Sequence, residues 1–174
     1  MEGVLALQLC FYGNPVLRKK AAKVEKFDGA LSALVDKMIE TMNLSDGVGL
    51  AAPQIGESIQ LAIVDPDPSR GGLTRMVLVN PRLEVVGSDT EVMEEGCLSV
   101  PGIYARVKRA QALRVTAQDL AGNPLEFEAY GFLARIIQHE TDHLNGVMFV
   151  DRVIARDKKR VEKELKEKFL QDAS

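Results

Sequence analysis

Between Leu31 and Met42 the apolar positions Leu31, Leu34, Val35, Met38, Ile39 and Met42 recur three and four apart, which lays one hydrophobic stripe along a helix. Asp28 stands where an N-cap belongs, and Gly47 and Gly49 break the pattern behind it. Ile59 to Val64 and Met76 to Val79 are β-rich apolar runs. Each is closed by an Asp-Pro or Asn-Pro step, so two strands are expected to end there. Leu113, Val115 and Ala117 alternate with Arg114, Thr116 and Gln118. Gly122-Asn123-Pro124 then turns the chain into Leu125, Phe127 and Ala129, which predicts a hairpin. From about Phe132 to Leu144 the period is helical again, with Phe132, Ile136, His139 and His143 along one side. A last helix from about Ala155 to Phe169 has a narrow stripe, Val161, Leu165 and Phe169, and charge elsewhere. The expected class is α+β: antiparallel strands around a central helix, an N-terminal amphipathic helix and a C-terminal helix. No linker or repeat divides residues 1–174, so one domain is expected, with 155–174 as C-terminal helix and tail.

Composition narrows the classes. Hydrophobic residues make up 46% and charged ones 27%, which excludes a disordered chain. No apolar run approaches the roughly 20 residues that span a bilayer, so no membrane role is expected. A net charge of −3 argues against general DNA or RNA binding. Cys10 and Cys97, the two cysteines, match no extracellular disulfide spacing. The run Val4 to Phe11 is apolar, but Glu2 replaces the basic flank of a signal peptide and no cleavage site follows. An ordinary N-terminal segment and a cytoplasmic location are expected.

The strongest chemical signal is His139-Glu140-Thr141-Asp142-His143. Two histidines four apart on a helix point the same way, with Cβ atoms roughly 6 Å apart, and suit one metal ion. Glu140, about 100° around the helix, can reach a water on that ion as general base. These are the only 2 histidines in the chain, so the third ligand is of another type. The motif that adds a third histidine has Phe149 in that place, although Gly146 fits. A downstream glutamate, Glu162 or Glu164, would make the protein a small metallopeptidase. Both sit among Lys158, Lys159, Lys163, Lys166 and Lys168, where solvated ion pairs explain them better. A thiolate remains: Cys97 lies in the polar, Gly/Pro-bounded stretch Glu94 to Gly102, whereas Cys10, between Leu9 and Phe11, reads as a small core hydrophobe. Cysteine with two histidines and an open position fits a catalytic ion, and zinc and ferrous iron both suit those donors. Gly47 to Gly56 reads as a helix cap and loop, or as a close backbone wall with Gln54 as amide donor. It lacks the third glycine of a dinucleotide fingerprint.

With Gly47–Gly56, Glu95–Ser99 and Gln138–Leu144 in this order and spacing, the chain resembles the peptide deformylases, enzymes that remove the formyl group from the N-terminal methionine of new bacterial proteins. Asn14–Arg18 and Phe149–Arg152 agree more weakly, and the resemblance covers nearly the whole length. It implies that Cys97, His139 and His143 bind the metal, with ferrous iron as the usual ion and zinc as a common substitute. It implies Glu140 as general acid and base, and Gln54 with the Leu98 N–H as donors to the oxyanion. It further implies Gly49 on the substrate backbone, and Val48, Met93, Glu95, Phe132, Arg135, Ile136 and His139 around the methionine side chain. For Arg135 the expectation is an aliphatic stem lining the pocket while its charge reaches solvent. Thr141 and Tyr104 depart from commoner family choices and bear on substrate preference. The implied partners are formyl-methionyl nascent peptides and, through the basic last helix, the ribosome.

Overall fold

The computed structural model describes residues 7–170; residues 4–6 of the apolar run at the start and the tail residues 171–174 lie outside them. Helix α1 (Gly29–Leu44) begins where Asp28 accepts a hydrogen bond from the Leu31 N–H at 3.1 Å. Its stripe Leu31, Val35, Met38 and Met42 is buried, each such side chain contributing about 1.5–3 kcal/mol of apolar burial. Strands β1 (Gly49–Ala51), β2 (Leu61–Val64), β3 (Met76–Val85), β6 (Ala112–Gln118) and β7 (Pro124–Tyr130) form one antiparallel sheet in the order β1-β2-β3-β6-β7. Strands β4 (Thr90–Cys97) and β5 (Val100–Ala110) form a second, two-stranded sheet. Helix α2 (Gly131–Leu144) lies between them, in contact with β1, β2, β5 and β7, and α3 (Ala155–Phe169) packs on β5.

One expectation needs correction. Asn80-Pro81 does not end the second strand, which runs on to Val85. The register shifts between Val79 and Arg82, and such an irregularity accommodates a proline with no N–H to give. Asn80 takes the left-handed conformation there (φ 51°) and its carboxamide bonds Val24 and Gln118. The polar stretch Glu94 to Gly102, which carries Cys97, belongs to strands β4 and β5 and the turn between them. It is the end of a long hairpin whose turn is Leu98-Ser99, with Cys97 paired to Val100.

Three apolar clusters meet around α2. Ala134, Ile136 and Ile137 face Val64, Leu78, Leu113, Val115 and Ala129 of the larger sheet. Leu50, Leu61 and Ile63 pack under α1. Ile103, Ala105 and Val107 of β5 pack with Leu17, Met148, Phe149, Val161 and Leu165. Asp157 anchors α3: its carboxylate accepts from the Arg106 backbone N–H at 2.9 Å and from the Arg106 guanidinium at 2.7 Å. Those bonds hold the Asp157 carboxyl at about 2, below the usual carboxylate range. Cys10, half-buried beside this third cluster, is the packed small side chain expected of it, and burial raises its thiol pKa.

Candidate active site

The helical period of α2 brings both imidazoles to one wall of a cleft, with ring centroids 5.2 Å apart. The cleft has a volume of about 530 Å³. Its opposite wall is the end of the β4–β5 hairpin. There Gly96 lies flat against Tyr104, where a Cβ would stand 2.7 Å from the ring, and the register breaks between Glu95 and Cys97. The break delivers the Cys97 sulfur to the imidazoles. Cys97 Sγ lies 3.3 Å from His143 Nε2, and one ligand atom from each of Cys97, His139 and His143 lies within 4.8 Å of the others.

This donor set fits one cation. Tetrahedral bonds of about 2.0–2.3 Å separate ligand atoms by about 3.3–3.8 Å, close to the spacing present. The buried Glu140 Oε2 has no hydrogen-bond partner among the described residues, as expected where part of the polar complement is supplied from outside. Among the described residues Cys97 is the third donor grouped with the two histidines. Glu162 is exposed and Glu164 pairs with Arg160 at 3.1 Å, so the downstream glutamate is overturned as third ligand.

Behind His139 lies a buried ionic cluster. Glu95 Oε1 meets His139 Nδ1 at 3.0 Å, which leaves Nε2 for the cleft. The same carboxylate accepts two bonds from Arg109, both at 2.9 Å, and one from Arg135 at 2.6 Å. Arg109 also reaches Asp142 at 2.6 Å, and Arg152 closes the row from the surface. Arg135 therefore does not send its charge to solvent. It is 4% exposed, and its guanidinium also donates to the carbonyls of Val107 at 3.0 Å and Glu91 at 2.8 Å. The reason is the carboxylate opposite it, since a buried guanidinium is stable only when paired.

Burial opposes charge on all of these groups, and the partners decide the result. Burial would raise the Glu95 carboxyl, but His139 and Arg109 hold it well below the usual range. Burial would lower His139, yet Cys97, Glu95 and Glu140 hold it well above its ordinary value. His143, buried and facing the His139, Arg109 and Arg18 charges, is pushed well below. Burial pushes Glu140 up to about 7, the charges of Glu95 and Asp142 adding to the rise against His139 and Arg109.

The glycine-rich stretch supplies the third wall. Val48, Gly49 and Gln54 line the cleft with Leu98, Phe132, Ile136, Glu140 and the Glu95–Arg135 pair. Gln54 is 1% exposed, and no acceptor among the described residues takes the Leu98 N–H. Met93 is not brought to this cleft; it lies 42% exposed on β4. Arg109 and Asp142 were missed as supporting residues. The available signal was the alternation Ile103, Ala105, Val107, Arg109, which puts an arginine on a buried face. Gly49 fits so closely that a Cβ would stand 2.5 Å from Glu140 Oε1. Gly49→Ala is expected to displace that carboxylate and lower kcat by about 10²-fold at unchanged metal content, as measured by steady-state kinetics beside metal analysis.

A sequence model described as polypeptide deformylase matches residues 6–159. A peptide deformylase of Dictyoglomus turgidum is 48% identical over 143 residues, which cover 82% of this chain and 89% of that protein. The crystal structure of peptide deformylase from Thermotoga maritima superposes with a TM-score of 0.82 at 42% identity, covering 87% of this chain and 99% of the other. That of a peptide deformylase from Synechococcus elongatus in complex with actinonin gives 0.84 at 42% identity, covering 93% and 85%. A match of this extent, on a chain whose cysteine and two histidines converge beside a buried glutamate, shows that it belongs to the polypeptide deformylase family.

Proposed function

We propose that the protein hydrolyses the formyl group from the N-terminal formyl-methionine of new polypeptides, releasing formate. The observation that carries this reading is the placing of Cys97, His139 and His143 around one point of a cleft that also holds Glu140 and Gln54. Cys97, His139 and His143 would hold a divalent cation, ferrous iron in the cell or zinc as its substitute, which when bound would supply the Lewis acidity that lowers the pKa of water toward neutral. Glu140 accepts the water proton and later delivers it to the departing amine nitrogen; its carboxylate lines the cleft 4.0 Å from His139 Nε2, within reach of both. Gln54 Nε2 and the Leu98 N–H donate to the formyl oxygen as it gains charge, each such donor contributing roughly 3 kcal/mol. Glu95 keeps His139 turned toward the cation through Nδ1. Val48, Phe132 and Ile136 take the methionine side chain, with Gly49 against the substrate backbone.

Metal-loaded protein, purified anaerobically and analysed for its metal, is expected to release formate from formyl-methionyl peptides and to leave unformylated peptides intact. Cleavage of unmodified peptides without formate release would replace this reading with a peptidase. The two free cysteines suit a reducing cytoplasm, where such substrates arise.

The basic last helix docks on the ribosome. Lys158, Lys159, Lys163 and Lys166 are exposed, while Val161 and Leu165 are buried against β5. Removing the helix would strip the core, so the test is charge neutralisation. Changing the four lysines to glutamine is expected to weaken salt-sensitive ribosome binding while small-peptide turnover is kept; unchanged binding in sedimentation assays defeats docking through this face.

A further inference from the structure

Gln54 is gripped at both ends of its carboxamide. The Ala51 N–H can only donate, so the Gln54 atom 2.9 Å from it is Oε1, and Nε2 must face the other way. There Nε2 lies 3.1 Å from Ser99 Oγ and 3.5 Å from Cys97 Sγ. An amide nitrogen carries two N–H bonds about 120° apart in one plane. Once one of them is fixed on Ser99 Oγ, the other faces the cleft, where its acceptor is the Cys97 sulfur at 3.5 Å.

The backbones of both residues are held independently of this bond. The Cys10 N–H donates to the Gln54 carbonyl at 2.7 Å and the Tyr12 N–H to the Ser99 carbonyl at 2.9 Å, so one short stretch of chain holds both from behind. Ser99 is 0% exposed and Gln54 1%, which keeps water from substituting for the hydroxyl. The hydroxyl-to-amide bond, together with the Ala51 N–H on Oε1, therefore sets the rotation of the carboxamide, not the place of its backbone. That rotation is a broad torsion that needs a partner to define it.

We infer that Ser99 is a positioning residue for the hydrolysis: its hydroxyl accepts one N–H of Gln54 and so directs the other to where the formyl oxygen gains charge. The inference rests on the reading of Gln54 as a donor to that oxygen. Without Oγ a buried N–H loses its acceptor and the amide turns to find another, so the donor is misaligned in the transition state more than in the bound substrate.

The test is a double-mutant cycle on the metal-loaded enzyme with Ser99→Ala, Gln54→Ala and the double variant. Gln54→Ala is expected to lower kcat by about 10²-fold. Ser99→Ala is expected to lower kcat about tenfold with little change in KM, and to add nothing in the Gln54→Ala background. A role in packing alone would persist in that background. Independently of turnover, the side-chain amide proton resonances of Gln54, identified by their loss in Gln54→Ala, are expected to shift in Ser99→Ala, at parental Tm and metal content. Parental kcat in Ser99→Ala, a Ser99→Ala loss that survives in the double variant, or a fall in its metal content overturns the inference. Parental kcat in Gln54→Ala shows instead that the underlying reading of Gln54 is wrong, and the positioning role falls with it.

Discussion

Glu140→Gln is expected to keep its metal and lose turnover by about 10²–10⁴-fold, because ligation and proton transfer lie on different residues of the same helical turn. The carboxamide keeps the shape of the side chain but cannot accept the proton. Stability should hold or rise, since Glu140 is 4% exposed with one oxygen unpartnered, and its charged form is costly to bury. Formate release, metal analysis and thermal unfolding together check this. Turnover within tenfold of the parent would remove Glu140 from the chemistry, and loss of the metal would make it a ligand.

Cys97→Ala is expected to abolish stoichiometric metal binding, whereas Cys10→Ala retains it. The first change leaves only two imidazoles, both on α2, and removes the thiolate that the hairpin supplies. The second removes one half-buried sulfur from the edge of the cluster around Val100 and Phe149, at a cost of about 1 kcal/mol. Metal analysis after dialysis against a competing chelator separates the two. Equal metal content in both variants would reverse the roles of the cysteines.

The sequence made the central helix legible because its signal is local. Phe132 to Leu144 keeps a helical period, and both histidines of the chain lie within it. Asp28 and the stripe of α1 are local in the same way, and so is the hairpin from Leu113 to Ala129. The β4–β5 hairpin was less visible. Gly96, Pro101 and Gly102 are turn-forming residues, yet Gly96 here serves a break in register and a close contact with Tyr104, and Pro101 and Gly102 lie within β5. Arg135 shows the other limit. Its partner Glu95 stands 40 positions away, and nothing local distinguishes a guanidinium bound for a buried carboxylate from one bound for solvent.

The two imidazoles and the proton carrier ride on one helix wedged between two sheets, while the sulfur arrives from the tip of a two-stranded ribbon. The donor set is therefore assembled only when hairpin and helix have both folded, so an ion held there stabilises the native chain against its unfolded form.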